Sequence, residues 1–235
     1  MEQTVLKSGT YIQISVGDEQ RLEARELVEY SLRHHHVSNI WDGKPGAGAP
    51  GAGAPGAGTS ATLASTRMLR FTGTLGEIVF ADCYHLPRPT RSFGATDGQD
   101  WGQDFLIRSE SENFSVDIKS MKRKSGTLAG DYVLNIPASQ LHKKGSKTTH
   151  YFCISFHQSD TDGTIASLLG FIDKYALESG SIGQLYKSGT RRTRTDGSTF
   201  TFHESTYEID FKDIAPPVLT DSLRKLAGFR ICELK

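Results

Sequence analysis

The stretch DFLIRSESENFSVDIKSM, residues 104–121, decides the fold class. Two runs rich in branched and aromatic residues, DFLIRSE and NFSVDIKSM, flank a polar turn around Ser111 and Glu112, the pattern of a β-hairpin. Side chains alternate between the faces of a strand, so Val116 and Ile118 point to one side and Asp117 and Lys119 to the other. The first pair suits a core, and the second suits polar surroundings or a site. Asp104 opens the first run, so pairing the two runs is expected to bring its carboxylate beside Asp117.

Upstream, Thr74-Leu75-Gly76-Glu77 opens an apolar run, IVFADCYHL, which predicts a helix ending before Pro87. Before it, TYIQISV (residues 10–16) alternates like a short strand. From Asp18, DEQRLEARELVEYSLRHHH predicts a first helix with Leu22, Leu27, Tyr30 and Leu32 on its apolar face, acids early and bases late as the helix dipole favours. The segment PRPTRSFGATDGQDWGQ is a loop, with Phe93, Trp101 and the glycines of 94–102 as a candidate rim over a substrate. Downstream, HYFCISFHQ predicts a strand, IASLLGFIDKYAL continues an apolar segment, TFTFHESTYEIDF holds one or two strands, and LTDSLRKLAGF predicts a short helix capped by Gly228. Helix, helix, hairpin, strand and mixed elements in this order predict an α/β layered fold, a mixed central β-sheet flanked by helices.

At 235 residues, 37% hydrophobic and 23% charged, the chain fits a single folded domain spanning 1–235. Residues 45–58, PGAGAPGAGAPGAG, repeat a pentad that carries no side chain able to build a core, and read as a tether within that domain. The 27 Lys+Arg balance the 27 Asp+Glu, so any polyanion site is local. Cys83, Cys153 and Cys232 are odd in number and set among apolar residues, which favours free thiols and a cytoplasmic location. No stretch approaches the roughly 18 apolar residues of a membrane span, and no membrane partner is expected.

Two adjacent carboxylates repel unless a cation sits between them, and hard oxygen ligands with open positions suit Mg²⁺, with Mn²⁺ as a substitute. The text TGTLGEIVFADCYHL with Gly76-Glu77, then DGQDWGQDF with Asp104, then SVDIKS with Asp117-x-Lys119, resembles the PD-(D/E)XK nuclease superfamily over roughly residues 72–125. That resemblance implies a restriction-endonuclease-like fold. It makes Glu77, Asp104 and Asp117 metal ligands and Lys119 the residue that orients or activates water, all four being catalytic. Gln103 stands where the family pattern has proline, and Asp117 where Glu is also common.

Each residue also has a plain structural role to weigh. Glu77 lies three residues after Thr74, the spacing of a capping box. Asp104 suits a turn or strand cap, and Asp117 with Lys119 the exposed face of an amphipathic strand. Lys122, Arg123 and Lys124, with Lys143, Lys144 and Lys147, face the single acid Asp131 and form a candidate nucleic-acid-binding cluster; Arg191, Arg192 and Arg194 form a second basic patch in a turn-rich loop. His34-His35-His36 cannot converge on one ion from successive helical positions about 100° apart. No G-x-S-x-G elbow and no G-x-x-x-x-G-K-[ST] loop is present. The expected function is metal-dependent endonucleolytic cleavage of DNA, with RNA not excluded as a partner and a homodimer left open. The rivals are a non-catalytic nucleic-acid or protein-binding module that keeps the nuclease fold, and a restriction-like subunit active only as a dimer or with a partner. Replacing residues 46–58 by a short Gly/Ser link is expected to leave the melting temperature nearly unchanged, which a thermal scan of both chains checks.

Overall fold

The computed structural model describes residues 6–34, 60–90, 104–108, 113–123, 126, 128, 131–159, 163–193, 197 and 199–234. The tether, the 94–102 rim with Phe93, and Gln103, Lys124, His35, His36 and Arg194 lie outside the described residues. Strand β1 (Thr10–Val16) leads into helix α1 (Asp18–His34), and helix α2 (Ser60–Tyr84) precedes the hairpin of β2 (Phe105–Arg108) and β3 (Asn113–Lys122). After these come β4 (Val133–Pro137), α3 (Ala138–Leu141), β5 (His150–Gln158), β6 (Thr164–Asp173) and α4 (Lys174–Glu178). The chain then runs through β7 (Gln184–Tyr186), β8 (Arg191–Thr193), β9 (Thr199–Thr201), β10 (Thr206–Asp210), α5 (Asp221–Arg224) and β11 (Arg230–Glu233).

Six strands form a mixed sheet in the order β11-β1-β6-β5-β3-β2. Only β3 and β5 run parallel, with Val116 opposite His150 and Lys119 opposite Cys153; the other neighbours are antiparallel. A second sheet, β4-β10-β7, and a two-stranded β8–β9 ribbon complete the strands among the described residues. The α/β class and the mixed central sheet are as the sequence predicts. The second sheet was not foreseen, because β4 and β7 are short and carry no long apolar alternation.

Two cores lie on the two faces of the six-stranded sheet. On one face Ile12, Ile14, Val116, Ile118, Phe152 and Ile154 pack against Ala24 and Leu27 of α1 and Leu75, Ile78, Val79 and Phe80 of α2. On the other, Tyr11, Tyr151, Cys153 and Leu169 pack against Leu134, Ile136, Tyr207 and Ile209 of the second sheet. The layers are therefore helices, sheet and smaller sheet. Helix α1 buries Gln20, Ala24, Leu27 and Val28, whereas Leu22, expected on its apolar face, is 57% exposed. A stripe at positions 20, 24, 27 and 28 has helical spacing, and Leu22 is turned about 200° away from Gln20. Gln20 accepts from the Gly17 N–H at 2.9 Å and donates to Asp82 at 2.6 Å, which satisfies its buried amide.

Helix α2 begins at Ser60, well before Thr74, so Thr74 and Glu77 lie inside it and do not form a capping box. It stops where expected. His85 takes a left-handed conformation (φ 54°), the Leu86 N–H bonds to the Ala81 carbonyl at 2.8 Å, and Pro87 follows: a Schellman ending. Arg88 then fastens both helices. Its guanidinium donates to Asp82 at 2.7 and 2.9 Å and to Glu19 and Glu23 of α1 at 2.9 and 2.5 Å. These charges hold the Arg88 cation well above its ordinary pKa, hydrogen bonding to Asp82 contributing most. Helix α5 is a single turn, N-capped by Thr220, whose hydroxyl also donates to the Cys83 carbonyl at 2.8 Å. The expected cap Gly228 lies beyond its end, at φ 68°, just before β11.

The helix layer sits close on β3 at one point. A Cβ at Gly76 would overlap the Ser120 hydroxyl and come within 3.3 Å of Ile118 Cγ2. Gly76→Ala is therefore expected to cost about 1–3 kcal/mol in urea unfolding, and Ser120→Gly in the same chain to recover part of it. No recovery would locate the strain elsewhere.

Candidate functional site

Burial in β3 alternates as the sequence requires: Val116 and Ile118 are buried against the helix layer, while Asp117 and Lys119 issue from the opposite face. There Asp117 and Lys119 form an ion pair, Nζ to Oδ2 2.7 Å, with side chains 17% and 24% exposed. Their neighbours in register on β5 are Tyr151 and Cys153. The Lys119 ammonium lies 5.4 Å from the centre of the Tyr151 ring, within cation–π range.

Asp104 is anchored across Asp117. Its N–H donates to the Val116 carbonyl at 2.9 Å, and its carboxylate accepts from the Ile118 N–H at 2.6 Å. Strand β2 starts only at Phe105, so this carboxylate takes the place of the next ladder partner along β3. The backbones of Asp104 and Asp117 thus lie opposite each other, as the hairpin pattern predicts. Glu77 is carried by α2, in the layer on the other face of the sheet, next to the Gly76 contact with Ser120. Among the described residues no group of three or more His, Cys, Asp or Glu side chains is gathered to hold a metal ion. Carboxylate oxygens are the hard donors that suit Mg²⁺, which takes one or two protein carboxylates and keeps waters.

The chain also brings to this place residues that sequence reasoning passed over. The Tyr151 phenol is fully buried, and its hydroxyl has no hydrogen-bond partner among the described residues. Burial holds it un-ionised well above its usual range, and the charges of Asp117 and Glu178 add to that. Glu178 comes from α4, where it pairs with Lys174 at 3.7 Å. Asp173 caps that helix through the Tyr175 and Ala176 N–H groups. The local signal existed, a capping Asp173 ahead of an i,i+4 Lys/Glu pair, but nothing local ties it to Asp117.

The basic cluster divides. Lys143 and Lys144 sit in the segment between α3 and β5, the strand whose first residue is opposite Val116. Lys122 is exposed five residues farther along β3 than Asp117, about 16 Å at ordinary strand rise. Arg123 turns inward: it donates to the carbonyls of Ser155 and Gly126 at 3.0 and 3.1 Å and to Ser167 Oγ at 2.7 Å, and lies 2.9 Å from His157 Nδ1. Its guanidinium is thereby taken up by a buried polar network with Gln13 and Ser167, away from the surface where a phosphate would approach. Burial lowers its pKa.

No protein-family model, no curated protein and no solved structure matches this chain. Among the described residues no helix is long and apolar enough to cross a membrane.

The thiol beside the pair is inert. Full burial pushes Cys153 up to about 12, with Lys119 pulling it down and Asp117 pushing it up, and burial raises Cys83 as well. Cys232 is half-buried on the edge strand β11. At pH 8 a thiol reagent such as DTNB is expected to titrate Cys232 far faster than Cys83 and Cys153, which react only in denaturant. Equal rates for all three in the native protein would contradict the burial of Cys83 and Cys153.

Proposed function

We propose that the chain is a metal-dependent endonuclease that hydrolyses DNA phosphodiester bonds, with a restriction-endonuclease-like fold. One observation supports this above the others: Asp104 spans the backbone on either side of Asp117, and Lys119 stands ion-paired on Asp117 two residues on. Asp104 and Asp117 would hold Mg²⁺ or Mn²⁺; Glu77, expected as a third ligand, stands on α2 across the sheet and is not gathered with them. Bound there, the ion would supply a Lewis acid for the phosphate and lower the pKa of its water. Lys119 gives a positive charge that steadies the attacked phosphate, and Asp117 keeps that ammonium in place. The Tyr151 ring lies within cation–π range of the ammonium, and Lys143 and Lys144 in the turn between α3 and β5 are candidate phosphate contacts.

A second possibility is a non-catalytic nucleic-acid-binding module. It gains support from the Asp104 carboxylate, which already serves the Ile118 N–H, and from the absence of a gathered three-carboxylate group among the described residues. Calorimetric titration with Mg²⁺ and Mn²⁺ separates the two, because only the nuclease needs the ion. Cleavage that rises steeply with protein concentration would identify a subunit active as a homodimer.

The substitutions that test the site are Asp117→Asn and Lys119→Ala. Both side chains are mostly covered, so removing one partner leaves the other charge partly desolvated, and each substitution is expected to cost roughly 1–3 kcal/mol in unfolding free energy. On supercoiled DNA with Mg²⁺, Asp117→Asn is expected to cleave orders of magnitude more slowly and to lose ion binding. Lys119→Ala is expected to lose about 10²–10³-fold in rate while still binding the ion. Cleavage by both variants at the wild-type rate would move the chemistry to another site.

A further inference from the structure

The β8–β9 ribbon lies outside both larger sheets, and its register sorts its side chains. Arg191 is opposite Thr201, Arg192 opposite Phe200 and Thr193 opposite Thr199. Residues directly opposite share a face, so Arg191, Thr193, Thr199 and Thr201 form one face, and all four are exposed. Arg192 and Phe200 form the other, which turns inward. Arg192 Nε bonds Glu208 at 3.0 Å, and its guanidinium lies 5.4 Å from the centre of the Tyr186 ring. One arginine of the adjacent pair is therefore paired with Glu208 while staying partly exposed, and its neighbour is presented on the outer face.

Among its described residues the presented face holds donors and no acid. Lys187, exposed in the turn that leads into β8, is a second cation four residues before Arg191, and among the described residues neither Lys187 nor Arg191 has a carboxylate within ion-pair distance. Arg191 contacts Thr199 Oγ1 at 3.3 Å, so the cation and hydroxyls are adjacent. Among the described acids nearby, Glu208 is buried on Arg192, and Glu204 accepts from Ser139 at 3.0 Å. The platform is also pinned. Gly189 N–H bonds the Phe202 carbonyl at 2.8 Å, Phe202 N–H bonds the Thr190 carbonyl at 3.0 Å, and the Phe202 ring stacks on Tyr186 at 5.1 Å.

We infer that the outer face of the β8–β9 ribbon, with Lys187 and Arg191 as its cations and Thr193, Thr199 and Thr201 as its hydroxyl donors, is a second docking surface for the phosphate backbone of nucleic acid. It takes its partner from the proposed action on DNA but is physically separate from Asp104, Asp117 and Lys119. Cations flanked by hydroxyls bind successive phosphates without reading bases, so the surface positions the duplex and leaves sequence choice to other contacts. Each phosphate it neutralises releases condensed counterions, which gives binding a characteristic salt dependence.

The full-length chain is titrated against a short labelled duplex in EDTA, where no cleavage occurs, across a series of salt concentrations. Lys187→Ala/Arg191→Ala is expected to bind more weakly, with the slope of log K against log salt reduced by about 1.8, at about 0.9 per phosphate contact. Arg192→Ala, as the inward neighbour, is expected to leave the slope unchanged. An unchanged slope in the double variant, or no duplex binding by the wild type, overturns the inference. So does sedimentation with phosphatidylserine vesicles that the double variant loses while duplex binding stays the same. Cleavage with Mg²⁺ is scored separately on the same wild-type preparation. A chain that cleaves but keeps its slope sinks this inference alone, and a chain whose slope falls but which does not cleave sinks the nuclease proposal alone.

Discussion

The pairing that the rest of the structure depends on is the parallel one between β3 and β5. A tight turn cannot join parallel neighbours, so the chain must leave the end of β3 and return to the start of β5 through a long connection. Residues 123–149 make that return and carry β4 and α3. Strand β4 pairs with β10, and this builds the second sheet on the face of the main sheet opposite the helices. The face on which Asp117 and Lys119 emerge is therefore only partly open, bounded by a core of aromatic and aliphatic side chains.

That setting governs the electrostatics of the candidate site. In bulk water an Asp–Lys pair two residues apart on a strand contributes little. Here both side chains are mostly covered, and the pair stands beside an un-ionised phenol and an un-ionised thiol. The neighbours bring no charge of their own, so the balance at the site rests on Asp104, Asp117, Lys119 and the Lys174–Glu178 pair. Asp104 also serves the fold, since its carboxylate completes the β3 ladder where β2 ends. Removing it would expose a backbone donor as well as alter the site, which makes Asp117 the cleaner position for separating chemistry from folding.

Zero net charge conceals a sorting of charges by depth and face. Arg88 is spent on joining α1 to α2, Arg123 on a buried polar network, and Arg192 on Glu208. Lys144, Lys187 and Arg191 stay exposed, Arg191 on the outer face of the ribbon. Counting basic residues along the chain cannot separate these groups. Adjacent positions such as 191 and 192 differ only in which side of a strand they occupy.

Much of this was legible in the sequence because it is local. The alternation in SVDIKS put Asp117 and Lys119 on one face, the hairpin pattern brought Asp104 beside them, and Pro87 marked the end of α2. Strand periodicity and the steric demands of proline act over a few residues, so they survive without knowledge of the fold. Tertiary structure decided the rest. It chose the stripe of α1 that is buried and exposed Leu22, and it pressed Gly76 onto Ser120. It turned Arg123 inward, left Glu77 in the opposite layer from Asp117, and brought Tyr151 and Glu178 to the site. Each of these depends on which distant segments meet, and burial and desolvation arise only from that meeting.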